Sequence, residues 1–315
     1  MRKIFLASTA LVALGTVTAH ASDLSISGTV DWHYISYDNG SQANAVNGSY
    51  VDYDMDVDIK FTSTTDSGLS LTMGLGISES ASQDDQYLDI AGDFGTLRLS
   101  DNLEGLADQA MDESVADNMA FVTTGLAMHG ADLSADTIMY TLPSMSGLTA
   151  KVHYQDAGVT TKGDNTGFLL EYAADVADGS VKAQYISSTT DDTGAASDST
   201  GTDSTSTGLR VTMGDVQVTA SQHTKSINTN AYDYTNNVLD VKYSGIDGIT
   251  LAAFTLNGDD DINASYDYNQ SSASVTYTIA SGLTASLTRT DTEVTNSSGT
   301  TTNDENTVLN IKATF

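Results

Sequence analysis

Between Val51 and Phe61 the chain reads VDYDMDVDIKF, with Asp52, Asp54, Asp56 and Asp58 alternating with apolar residues. In a strand successive side chains point to opposite faces, so Val51, Tyr53, Met55, Val57, Ile59 and Phe61 share one face and the four carboxylates share the other with Lys60. At helical spacing the same apolar set would scatter around the axis, which excludes a helix. Several adjacent carboxylates cannot be buried unpaired, so this strand has to separate an apolar medium from a large body of water. The first three aspartates have the D-x-D-x-D spacing that opens an EF-hand loop. Val57 stands where that loop needs Gly and Ser63 where it needs Glu, so the calcium-loop reading fails.

The alternation recurs along the chain. Leu24, Ile26, Val30, Trp32 and Tyr34 alternate with polar residues, as do Leu69, Leu71, Met73, Leu75 and Ile77, and the pattern is still present at the end in Leu309, Ile311, Ala313 and Phe315. The single proline, Pro143, and the abundance of Thr, Ser, Gly and Tyr suit long strands in continuous ladders. Residues 1–21 read as a cleaved secretory signal: Arg2 and Lys3, an apolar run, and Ala19-His20-Ala21 as the cleavage site. Residues 22–315 then form one folded domain. The chain has no cysteine, so an exported protein is stable without disulfides and has no thiolate chemistry. Its formal net charge of −30 argues against nucleic acid as a partner. No apolar run after the leader is long enough for a spanning helix, which leaves a β-barrel open because only alternate barrel residues meet lipid.

Seven short connectors carry turn residues: 63–68, 92–95, 143–147, 175–179, 214–215, 244–248 and 280–282. Between them lie polar connectors at 36–49, 80–84, 101–134, 158–164, 188–206, 226–235, 258–266 and 293–303, most of them longer. Seven turns and eight loops join 16 strands, with short turns at one membrane face and larger loops at the other. The expected fold is an all-β transmembrane antiparallel barrel whose interior is too wide for side chains to fill and holds water. The aspartates of the opening stretch line that water, where hydration and screening reduce their repulsion.

Seven of the ten basic residues beyond the leader have the parity of the lumen face: Lys60, Arg98, Lys151, Lys182, Arg210, Lys242 and Lys312. A cation at mid-membrane on the lipid face costs about 2 to 4 kcal/mol, so the parity follows from the fold, whatever function these residues also serve. The longest connector, 101–134, holds Asp101, Glu104, Asp108, Asp112, Glu113, Asp117 and Asp132 and no Lys or Arg. A connector of that length is uncommon without a function, and folded into the lumen its carboxylates would narrow the pore and favour cations. Four histidines, His33, His129, His153 and His223, are scattered and form no nucleophile and base pair in the sequence, so no enzyme is expected. The acid pairs Asp84-Asp85 and Asp191-Asp192, and the run Asp259-Asp260-Asp261, have the oxygen chemistry that Ca²⁺ takes, or are simply solvated loops. No other cofactor is implied. Aromatics at strand ends such as Trp32, Tyr53 and Tyr243 suit interfacial girdles.

The stretch DTIMYTLPSMSGLTAKVHY at 136–154 resembles the Tyr-x-x-Pro-x-x-x-Gly turn that follows the constriction loop in Gram-negative general porins. AGDFGTLRLSD at 91–101 resembles the Gly-Asp-Phe-Gly turn that precedes that loop, and the terminal Phe315 resembles the signal read by the barrel-assembly machinery. The order and spacing of these motifs are similar to alphaproteobacterial, Rhodobacter-type porins over the whole mature chain. The resemblance implies a homotrimeric, water-filled outer-membrane channel for ions, cations among them, and small hydrophilic solutes. It also implies a third external loop folded into the pore and contact with outer-membrane lipid and lipopolysaccharide. The chain departs from that family in its few arginines: the usual cluster opposite the loop reduces to Arg98 and Arg210 plus lysines, which weakens any transverse field and favours cations. A substrate-specific barrel channel and a secreted acidic β-sandwich or adhesin are the competing readings.

Overall fold

The computed structural model describes residues 23–38, 48–78, 83–103, 105–106, 109–111, 135–156, 163–191, 201–227, 233–260, 267–296 and 298–315. The strands are β1 (Asp23–Asp38), β2 (Ser49–Thr64), β3 (Ser70–Ser78), β4 (Gln83–Gly92), β5 (Gly95–Leu103), β6 (Ala135–Thr141), β7 (Leu148–Asp156) and β8 (Asn165–Val176). They continue as β9 (Gly179–Thr190), β10 (Thr202–Met213), β11 (Val216–Ile227), β12 (Asp233–Ile246), β13 (Ile249–Asp260), β14 (Asp267–Ala280), β15 (Leu283–Thr295) and β16 (Thr301–Thr314). Each pairs antiparallel with the next, and β1 pairs with β16, so the sheet closes into a barrel. The expected strand number and closure are observed.

Closure satisfies every edge, which a sheet in lipid requires. At the seam Phe315 and Gly28 exchange backbone hydrogen bonds of 3.0 and 3.1 Å. Gly28 leaves room there for the terminal ring, because a Cβ at this position would stand 2.8 Å from the Phe315 ring and 2.6 Å from the Asp56 carbonyl oxygen. On the inner side of the same seam, Asp31 accepts a hydrogen bond from Asn310 Nδ2 at 2.8 Å and pairs with Lys312 at 3.1 Å.

The turns at one end are tight: residues 93–94, 177–178, 214–215, 247–248 and 281–282 lie between paired strands. Gly282 illustrates the requirement, with a positive φ of 73° and its would-be Cβ 2.4 Å from the Thr314 carbonyl oxygen.

At the opposite end the loops are shorter than the sequence pattern suggests. The connector expected at 293–303 is a hairpin loop at 296–300, closed by Asn296, whose Oδ1 accepts from the amides of Ser298 and Thr300 at 3.0 Å each. The turns at 65–69 and 142–147 are as long as this loop or longer, so the two connector classes overlap in length. Asp84 and Asp85, and Asp259 and Asp260, expected in connectors, belong to β4 and β13. The reason is physical: above the lipid-facing rows both faces of a strand are hydrated, as at exposed Asn237, Asn257, Asn269 and Asp291, and the period-of-two signal disappears while the ladder continues.

Candidate functional site

The two faces of the barrel differ in chemistry, although Ile35, Val238, Phe254, Leu256 and Val308 are buried apolar residues on the inner face. Val51, Tyr53, Val152, Leu170, Leu239 and Leu287 point outward and are exposed in the isolated chain. Their sequence neighbours point inward and are mostly polar: Gln155, Asn165, Gln184, Thr219, Asp240 and Thr288 are all buried. An apolar exterior with a polar interior is the inverse of a soluble protein.

Asp52, Asp54, Asp56 and Asp58 lie together on the inner face of β2. Asp52, Asp54 and Asp58 are exposed to the lumen. In register they stand opposite His33, Asp31 and Ser27 of β1, so no Lys or Arg is directly across from them on that strand. Three of the seven expected lumen cations, by contrast, are paired with a carboxylate, and two more hydrogen-bond a neutral side chain. Arg98 makes a bidentate pair with Asp89 at 2.7 and 2.8 Å, with its guanidinium 4.2 Å from the centre of the Tyr87 ring. Lys182 pairs with Glu171 at 3.1 Å, and Lys312 with Asp31 across the seam. Lys151 donates to Gln109 Oε1 at 2.6 Å, and Arg210 Nε donates to Thr219 Oγ1 at 3.0 Å. Lys60 and Lys242 share the inner face, and Lys225, which the sequence reading omitted, joins them by its place in the β10–β11 and β11–β12 registers. These partly exposed pairs add about 0 to 1 kcal/mol each to stability. Their larger consequence is that Arg98, Lys182 and Lys312 are neutralised by carboxylates on adjacent strands.

Asp101 corrects an expectation. It belongs to β5 rather than to the long loop, paired with Gln86 and sharing the outer face with Leu99, so it does not line the pore. The strand continues past it because β5 still has a ladder partner, Leu103 pairing with Ala135 of β6. Glu104, Asp108, Asp112, Glu113, Asp117 and Asp132 lie outside the described residues, as does His129.

What is described of the long connector, residues 105–106 and 109–111, lies against the inner wall. Leu106 and Ala110 form a buried apolar cluster with Met139, Leu169 and Ile186, three inward-facing side chains from β6, β8 and β9. Gln184 of β9 clasps the backbone from one side chain: its Oε1 accepts the Met111 N–H at 2.9 Å and its Nε2 donates to the Gln109 carbonyl at 2.9 Å. Gly208 gives the chain room, since a Cβ there would fall 2.7 Å from Met111 Cβ. On β7, His153 Nδ1 accepts the Leu106 N–H at 3.1 Å. The sequence carried a signal for this seat that the reading did not use. Met139, Leu169 and Ile186 are apolar residues on the face that should be polar, and Gly208 interrupts a strand, which marks a close backbone approach. His223 is likewise an inner-wall residue, its ring held between Ser206 Oγ at 2.5 Å and Ser221 Oγ at 3.1 Å.

A closed barrel with an apolar belt outside and a charged, hydrated wall inside is the architecture of a channel-forming membrane protein. The chain belongs to the Gram-negative porin family, whose model matches residues 7–314, and it is accordingly an outer-membrane channel protein rather than an enzyme. No curated protein sequence matches it. Among solved structures it is similar to the anion-selective porin from Comamonas acidovorans, with a TM-score of 0.69 at 14% identity over 94% of this chain and 100% of that one. The trimer form of OmpT, an outer membrane protein of Vibrio cholerae, gives the same values, 0.69 at 14% identity over 94% and 100%. A substituted form of the Rh. blastica porin gives 0.66 at 14% identity over 93% and 100%.

Proposed function

We propose that this porin is a water-filled, passive diffusion channel for ions and small hydrophilic solutes, and that it prefers cations. The observation that carries the reading is the run of exposed carboxylates on the inner face of β2. Asp52, Asp54 and Asp58 are exposed to the lumen, while Arg98, Lys182 and Lys312 are each matched to a carboxylate on a neighbouring strand. Carboxylates clustered side by side on a pore wall concentrate cations where they stand. The acids of the long connector, Glu104, Asp108, Asp112, Glu113, Asp117 and Asp132, add to this field in our reading, with the connector narrowing the pore beyond its anchor on β6–β10. The porin named anion-selective shares the fold at 14% identity, a likeness that says nothing of wall charge.

In the same reading residues 1–21 are removed on export, three copies assemble, and Phe315 is read by the assembly machinery. The acidic outer ends of the strands meet lipopolysaccharide, with Ca²⁺ between them. Kinship with the alphaproteobacterial branch rests on the turn motifs at 92–95 and 140–147.

Swelling of proteoliposomes in isosmotic solutes tests the diffusion reading. Rates that fall smoothly with solute size and do not saturate are expected. Saturation, or uptake of one sugar out of line with its size, would instead point to a substrate-specific channel.

A further inference from the structure

The ring of His153 is 5% exposed and holds a hydrogen-bond chain whose polarity is fixed by its first link. A backbone N–H only donates, so Nδ1, 3.1 Å from the Leu106 nitrogen, must be the unprotonated acceptor. The neutral ring therefore carries its proton on Nε2, which donates to Asn165 Oδ1 at 2.7 Å. Asn165 Nδ2 in turn donates to Thr190 Oγ1 at 2.9 Å, which continues the chain with the amide oxygen facing the imidazole. Gly167, directly across the ladder, makes room for the ring, since a Cβ there would stand 2.7 Å from His153 Nε2.

We infer that His153 is a positioning residue for the pore: in its neutral Nε2–H form it fastens the inbound start of the long connector to the wall, and protonation unfastens it. A proton from water added at Nδ1 turns the acceptor into a donor aimed at a buried amide that has nothing to accept with. The remaining contacts of the segment, Gln184 with residues 109 and 111 and the apolar cluster around Leu106, then hold it without its first tie. The groups facing the ring from neighbouring elements are Leu106 from the connector, Met139 of β6, and Asn165 and Gly167 of β8. The charged groups of this wall are Lys151 on the same strand, Arg98 of β5, and the Glu171 and Lys182 pair of β8 and β9; none of these makes a hydrogen bond to the ring. Among the described residues no carboxylate hydrogen-bonds the ring, and the Leu106 amide requires an unprotonated Nδ1, so the contact is built on the neutral form, and the tie is present at neutral pH and lost as pH falls.

The inference rests on the channel reading, and its test is arranged so that the two can fail separately. Folded protein is compared with His153→Gln, which keeps one acceptor and one donor but does not titrate, and with His153→Phe, which keeps a ring and loses the acceptor. Two readouts are taken between about pH 8 and about pH 5, the range in which an ordinary histidine changes charge. One is hydrogen exchange of the Leu106 amide, corrected for the intrinsic pH dependence of exchange; the other is single-channel current in planar bilayers. In the unsubstituted protein the corrected exchange should quicken by about tenfold or more on acidification, the counterpart of one lost hydrogen bond, with noisier open-channel current. His153→Gln should lose that acid response, and His153→Phe should show it already at the alkaline end. An identical acid response in the unsubstituted protein and His153→Gln would overturn the inference, and so would a protected Leu106 amide in His153→Phe. If His153→Phe fails to fold, the comparison with His153→Gln still decides. Protein that passes no current at any pH bears on the channel reading alone, because amide exchange is measured without current.

Discussion

Leu106→Ala should detach the anchored segment and leave the barrel standing. Leu106 is fully buried in a cluster with Ala110, Met139, Leu169 and Ile186. The three wall residues are fixed in strand ladders and cannot close on the space left, so the loss falls toward the upper part of the usual Leu-to-Ala range, about 3 to 5 kcal/mol. The segment has an alternative the barrel lacks, which is to lift into the lumen, so the lower end of that range, about 3 kcal/mol, is the figure expected, or roughly 10²-fold in the local opening equilibrium. No strand of the barrel depends on Leu106 for its ladder. Hydrogen exchange by mass spectrometry should therefore show the Met111 amide, held by Gln184 Oε1, losing about two orders of magnitude of protection while amides of β7, β8 and β9 keep theirs. Unchanged protection at Met111 would refute the role given to Leu106, and equal loss in the strands would refute the claim that the anchor is separable from the barrel.

Three further outcomes follow from the two faces and the seam. Leu287→Arg, on the outer face between Val275 and Leu309, should cost about 2 to 4 kcal/mol in denaturant titrations in lipid vesicles, whereas Ser274→Arg on the inner face should stay within about 1 kcal/mol. Gly28→Val would bring a side chain against the Asp56 carbonyl and the Phe315 ring, and should lower the melting temperature of the folded, heat-modifiable band by an amount corresponding to about 1 to 3 kcal/mol. Arg98→Gln removes the partner of a partly exposed Asp89, so stability should change by about 1 kcal/mol or less while reversal potentials move toward stronger cation preference.

The barrel was legible in the sequence wherever one face meets lipid. VDYDMDVDIKF needs only the pleat to declare an apolar and a hydrated side, and its residues occupy those sides in β2. Legibility fails where that contrast vanishes. The outer ends of β12 to β16 carry Asn, Ser, Thr and Asp on both faces, so 293–303 reads as loop although β15 and β16 continue through much of it. The pore-lining parity of the basic residues was readable, but not their pairing, because Arg98 and Asp89 or Lys182 and Glu171 meet only through the register of adjacent strands. The anchor was hidden for a different reason: Gln184 and His153 look like ordinary lumen polar residues until a backbone N–H from another part of the chain is placed against each.

The central claim, a cation-preferring aqueous pore whose field comes from the β2 carboxylates, is tested most directly by the reversal potential of the refolded protein in a KCl gradient across a planar bilayer, measured beside the triple variant Asp52→Asn, Asp54→Asn and Asp58→Asn. The account predicts large stepwise conductance with a cation-selective potential that shifts toward zero in the variant. An anion-selective potential in the unsubstituted protein, or a cation-selective potential that the three substitutions leave unmoved, would contradict it.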